Sequence, residues 1–403
     1  MEYSQSLIIP GQGVFVFSTT DDSVSSYFKI FNKDKSDGLI VLFSPEQVRV
    51  NRIGILEPML DNNNTRGLST TNGIYYWFSL DSQNQTLYAG VGEARIETAI
   101  YKYKFIFTKE RDDERIINKK FLESLVTIYV PPEVNIVPIR LIKDPITLPI
   151  SLFVKKMNQL TVDHIASGEF LPKAYLNGMG QKLHDCIAGE QFVLDDPSFP
   201  EFSQAIEYSI LNEKGWCNKK LKQKSTEFNK DKPNLLETYL RITLGQNNGE
   251  SPGIPYVLEI WPPGHYSPIH NHGNSNAIIR VLHGSINVKL FPFLSSEKVE
   301  PFATQDFNKD DITWISPTLN QTHQLKNHEY NVETCMTLQC YMYDQEAQSH
   351  YEYFDYADDS GKIQQYEPDS DMDFIDFKKL MKEEWDNRPN SKDMWSYIYS
   401  FLI

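Results

Sequence analysis

The chain has nine histidines in 403 residues, and six of them fall between His265 and His328. Neutral imidazole is the commonest side-chain metal ligand, so such crowding is read first as a metal site. In a strand successive side chains alternate faces, so His270-Asn271-His272 sends both rings to the same side, where they can meet one ion. A third histidine further along can close the site from a neighbouring strand. His323 suits this role, because Trp314-Ile315-Ser316-Pro317 before it and Gln324-Leu325-Lys326-Asn327 after it read as a turn entering a strand. His265, His283 and His328 are read instead as hydrogen-bonded core or surface residues. Three neutral imidazoles leave a divalent ion its full charge and open positions on one side, a vacancy that suits a soft anionic ligand such as a thiolate.

The neighbouring residues carry a family resemblance. Gly264, five residues, His270-x-His272 and a stretch ending at Gly284 are similar to the first cupin motif, and Pro317 through His323-x-x-x-Asn327 is similar to the second. The acid that many cupins place between the second histidine and that glycine falls at Ala277, leaving a three-histidine site of the kind that marks thiol dioxygenases among cupins. Tyr239-Leu240-Arg241, with Trp261 ahead of Gly264-His265, resembles the block with which cysteine dioxygenases bind the substrate carboxylate. Leu338-Gln339-Cys340-Tyr341 resembles their closing His-x-Tyr pair, and the likeness runs from about residue 175 to 345.

The resemblance implies Fe(II) on His270, His272 and His323, and oxidation of L-cysteine by O2 to cysteine sulfinate. It implies that Arg241 holds the substrate carboxylate, with Tyr239 sharing the anchoring. Tyr341 would donate a hydrogen bond to oxygen or the thiolate, steered by Gln339. Two positions depart from the family. Ala277 also replaces the cysteine that cross-links to the tyrosine in the animal enzymes, so no thioether can form. Gln339 replaces a histidine, and an amide can hydrogen-bond but cannot carry a proton as imidazole does. The readings left open are a dioxygenase for another small thiol, such as 3-mercaptopropionate or an aminothiol, and a metal-binding or ligand-binding cupin without turnover.

The elements that must position these residues read as mainly β. From Thr238 to Tyr343 short strand patterns recur at near-regular spacing, the mark of a jelly-roll barrel. Helical patterns precede it around Gln181 to Ala188 and Phe202 to Asn212, and Phe374 to Trp385 is an amphipathic stretch expected as a helix on its outside. Residues 1–130 read as strands broken by turns such as Asp61-Asn62-Asn63-Asn64, an accessory β-sandwich in which Ile74–Phe78 followed by Leu87–Gly92 resembles a hairpin of lectin-like sandwiches. Pro131-Pro132, Pro138, Pro145 and Pro149 mark 131–150 as an extended linker or edge segment, which makes 151–403 the cupin domain.

Composition narrows the partners. A formal charge of -15 argues against a nucleic-acid surface, and the basic run Lys219 to Lys224 is expected to be a solvated face. Met1 to Phe17 carries no signal-peptide pattern and no window reaches membrane-spanning length, so a cytoplasmic protein acting on a small thiol and O2 is expected. Cys186, Cys217, Cys335 and Cys340 lack CxxC spacing and read as reduced core thiols. What the N-terminal part binds is not legible.

Overall fold

The computed structural model describes residues 3–21, 23–55, 59, 67–68, 74–105, 112–229, 232–244, 256–342, 354–358 and 360–389. Two compact units emerge: residues 1–150 with 291–303, and residues 151–290 with 304–403.

The first unit is a β-sandwich. One sheet runs in the order Tyr3–Ser6, Leu125–Val130, Ser26–Asn32, Gly38–Phe43, Val48–Arg52, and the other Ile136–Ile142, Gln12–Thr19, Tyr75–Asp81, Thr86–Val91, Ala99–Lys104. Alternate side chains of these strands meet between the sheets. Phe28 and Phe43 of the first sheet pack edge-on against Phe15, Phe17 and Phe78 of the second, all buried.

Of the two readings of residues 131–150, the structure has the edge segment and not the linker: Ile136–Ile142 is an edge strand paired with Gln12–Thr19, and Pro138 sits where the register shifts. An edge bulge is where a sheet tolerates a residue without an N–H. The stretch read as strands up to Val130 also holds a helix, Asp112–Ser124, whose run of polar residues offers no alternation to betray it. The Asp61 to Asn64 turn lies outside the described residues.

The second unit is the jelly roll. Its sheets run Ile312–Ile315, Asn276–His283, Cys335–Met342, Tyr256–Trp261, Leu240–Leu244, Met372–Asp373, and Ala303–Asn308, Ser285–Phe291, Thr322–Lys326, Ile269–Asn271, Phe354–Ala357, Ile363–Tyr366. Two adjacent inner strands of the former, Asn276–His283 and Cys335–Met342, are buried almost throughout, because helix Gly178–Ile187 covers their outer face. That helix starts where the Asn177 side chain accepts from the Gly180 amide at 2.7 Å. Helices Phe202–Leu211, Trp216–Lys224 and Phe374–Asp386 form a second layer, in which Phe377 meets Phe202 and Trp216 edge-on.

The basic run corrects one more expectation. Lys219 and Lys222 are exposed, but Lys224 is buried, with its ammonium 3.2 Å from both Asp371 and Glu227. The four cysteines are free thiols, three of them buried. No helix among the described residues is long and apolar enough to cross a membrane.

Candidate metal centre

Local register assembles the three histidines. His270 and His323 face each other as register partners across the antiparallel strands Ile269–Asn271 and Thr322–Lys326. His272 lies two residues beyond His270 and opens a tight reversal, in which the Ser275 amide donates to the His272 carbonyl at 3.1 Å. Gly273 and Asn274 take φ of 55° and 64° there, the left-handed region that glycine and asparagine enter at least cost. The result is one ligating ring nitrogen from each of His270, His272 and His323, all within 4.8 Å of one another.

Their environment selects the neutral, ligating form. Burial pushes His270 down to about 4, and holds His272 and His323 well below the ordinary histidine value. His270 Nδ1 donates to the Pro268 carbonyl at 3.0 Å, and the His323 ring donates to the Asn320 carbonyl. With Nδ1 of His270 held by the Pro268 carbonyl, its Nε2 carries a bare lone pair and the ring is fixed in the orientation a metal ligand needs. Nε2 of His272 and Nε2 of His323 lie 3.1 Å apart, and Nδ1 of His272 is buried without a partner. A cation among the three rings would satisfy lone pairs that otherwise face each other, so the residues present fit a divalent metal. Where a carboxylate ligand would stand, Ala277 is packed with Ile279, Ile315 and Tyr341.

The facing sheet supplies the opposite wall. Arg241, Glu259, Gln339 and Tyr341 line one cavity with His270, His272 and His323, so every site residue expected from the sequence reaches it. Tyr239 lies face to face with Trp261, ring centroids 4.1 Å apart, and its hydroxyl bonds Arg241. Phe354, Tyr356 and Tyr366 come from the hairpin that follows the barrel strands and close the cavity, with the Phe354 ring 4.7 Å from that of His272.

Glu259 was missed in the sequence. It is the register partner of Arg241 across the strands Leu240–Leu244 and Tyr256–Trp261, and its Oε1 accepts from Arg241 Nη1 at 2.6 Å. Both side chains are under 10% exposed. Glu259 Oε2 accepts from the Gln339 amide, and the Gln339 carbonyl accepts from the Tyr341 hydroxyl. Burial pushes the Glu259 carboxyl up, against the pull of Arg241. Burial is the largest influence on Arg241 and would depress it, but the adjacent Glu259 carboxylate, together with Tyr239, Tyr341 and Tyr366, outweighs this and the guanidinium is held above its ordinary value. The signal that could have found this pair is one charge inside each of two apolar strand patterns, Tyr239-Leu240-Arg241-Ile242 and Leu258-Glu259-Ile260-Trp261.

No protein-family model matches the chain. Among solved structures it is similar to the Cnp3 cupin domain of Schizosaccharomyces pombe, at 16% identity over 26% of this chain and 65% of that one, with a TM-score of 0.21. It is also similar to L-ribose isomerase of Cellulomonas parahominis, at 15% identity over 25% and 53% of the two chains and a TM-score of 0.20. A cupin superfamily protein of Desulfitobacterium hafniense matches at 13% identity over 27% and 79%, with a TM-score of 0.20. The chain thus spans less than two thirds of the first two proteins it matches. At these values nothing about chemistry carries over, and the fold assignment stands on the paired six-stranded sheets themselves.

Proposed function

We propose that this mainly β, cupin-type chain is a non-haem Fe(II) thiol dioxygenase that oxidises a small thiol to its sulfinate, with L-cysteine as the reference substrate. The overall change is RSH + O2 to RSO2⁻ + H⁺: sulfur loses the four electrons that O2 gains, and no outside reductant is needed. One observation supports this reading most. Three neutral imidazoles, with Ala277 where a carboxylate ligand would stand, share one buried cavity with the hydrogen-bonded chain of Arg241, Glu259, Gln339 and Tyr341.

Held by His270, His272 and His323, Fe(II) would supply a position for a soft thiolate and the means to activate O2. The protein's own part is placement. The facing sheet sets Arg241, Tyr239 and Tyr341 where the non-sulfur end of the substrate would lie, and Tyr239 is kept in position by its stacking on Trp261. Phe354, Tyr356 and Tyr366 keep bulk water from the sulfur and limit the ligand to a small molecule.

The test is oxygen uptake by the Fe(II)-reconstituted protein with a panel of small thiols, paired with product mass. One O2 consumed per thiol and a product heavier by two oxygen atoms is the expected result. Uptake no greater than that of His270→Ala with every thiol would end the proposal and leave a metal-binding cupin without turnover.

A further inference from the structure

The Arg241–Glu259 pair bears on which thiol the cavity takes. Arg241 is the cation that would receive a substrate carboxylate, yet its charge is already met by a carboxylate of the chain itself, 2.6 Å away and built in by strand register. Glu259 is fixed in turn: its second oxygen accepts from the Gln339 amide. That contact commits the Gln339 nitrogen to Glu259 and its oxygen to Tyr341, so the Tyr341 proton points at Gln339. What Tyr341 can then offer a ligand is an oxygen lone pair. The wall opposite the histidines is therefore neutral in sum and rich in acceptors.

Two ligand ends respond oppositely to such a wall. A carboxylate would bring a second anion to one guanidinium in a site shielded from water, where an unmatched charge is costly. An ammonium group would instead find the Glu259 carboxylate and the Tyr341 oxygen as acceptors. The aromatic closure by Phe354, Tyr356 and Tyr366 restricts the rest of the molecule to a short chain.

We infer that the substrate is a small aminothiol lacking a carboxylate, selected by Glu259, which engages its amine while keeping Arg241 from binding an acid. This rests on the thiol dioxygenase reading for the reaction, but the selectivity can be measured without turnover. The protein loaded with Zn(II), which does not change oxidation state, is titrated calorimetrically with 2-aminoethanethiol and with 3-mercaptopropionate, which differ only in amine against carboxylate on the same two-carbon thiol. Binding of the aminothiol at least tenfold tighter is expected, with L-cysteine weaker than 2-aminoethanethiol. Glu259→Gln, which releases Arg241, should move the ratio at least tenfold toward 3-mercaptopropionate. Equal binding, a preference for the carboxylate, binding of neither, or a ratio that Glu259→Gln leaves unchanged would overturn the inference; if that variant does not fold, the wild-type comparison decides. Absence of O2 uptake by the Fe(II) form with every thiol would instead sink the reaction and leave the binding preference standing or falling on its own.

Discussion

Arg241→Met should destabilise the second unit by about 3 kcal/mol at neutral pH, and by less as the pH falls. The variant leaves Glu259 buried beneath 5% side-chain exposure with its cation gone. A carboxylate stranded that way costs roughly 3–5 kcal/mol. It has one escape, which is to fold protonated. From its ordinary value of 4.5, taking up that proton at pH 7 costs about 3.4 kcal/mol, since each unit is worth about 1.4 kcal/mol. The cheaper route sets the loss. The sign follows from proton counting: in the variant the folded state holds a proton on Glu259 that the unfolded state has released above pH 4.5, so stability falls as pH rises. Relative to wild type, the deficit should therefore shrink by about 1.4 kcal/mol per unit as the pH falls from 7 toward the raised folded-state value of wild-type Glu259, below which both proteins carry the proton. Urea unfolding of both proteins at pH 5.5, 6.25 and 7 measures it, and Arg241→Met with Glu259→Leu should recover most of the loss, as apolar replacement of a buried ion pair commonly does. A deficit under about 1 kcal/mol at pH 7, or one that does not vary with pH, would show that Glu259 is not a buried partner of Arg241, because solvent would then be stabilising the freed carboxylate.

Two further outcomes are expected. Replacing His270, His272 or His323 by alanine should weaken metal retention by more than the roughly 10–100-fold typical of losing an outer-shell partner, measured as iron content after reconstitution and desalting. His283→Ala, whose ring bonds the Thr334 carbonyl at 3.0 Å outside the cluster, should retain iron as wild type does. His184 is fully buried, its nearest charged neighbour Asp185 lies 3.9 Å from Nδ1, and burial pushes it down from 6.5 to about 4 against the pull of that carboxylate. The unfolded chain thus binds this proton first, so stability is complete above pH 6.5 and is lost by about 3 kcal/mol as pH falls to 4. In His184→Leu that portion of the acid loss should vanish in urea unfolding, and an unchanged pH profile would refute it.

What could be read in advance was what is local. His270 and His272 are found by their i, i+2 spacing, although only His270 lies in the strand and His272 opens the turn that follows it, and the strands Tyr256–Trp261 and Ser285–Phe291 fall inside the stretch read as recurring strands. Helix Phe374–Asp386 follows the amphipathic stretch expected from Phe374 to Trp385, while Trp395 lies outside the described residues. The three-residue strand Ile269–Asn271 is too short to show a period, and it became visible only through His270 and the neighbouring His272. The hairpin Phe354–Ala357 and Ile363–Tyr366, which closes the cavity, has partly polar strands that resemble a solvated tail. The prolines of residues 131–150 left a linker and an edge segment equally open, and an edge strand with a bulge at Pro138 is the one that accommodates them.

The division of the site between two sheets explains why the candidate metal ligands were legible and the charge pair opposite them was not. On one sheet, His270, His272 and His323 are specified by an i, i+2 spacing and a single cross-strand register, so the chemistry of the ligand atoms declares itself in the residue types. On the other, Arg241 reads as a carboxylate anchor until Glu259 is placed opposite it, and that placement depends on how Leu240–Leu244 pairs with Tyr256–Trp261. A one-residue change in that register would turn Glu259 to the other face of its strand and return Arg241 to the cavity as a free cation. The same motif residues would then select an acid instead of an amine. Substrate class in such a site is thus a property of strand register acting on charge, and the metal set beneath it is indifferent to the outcome.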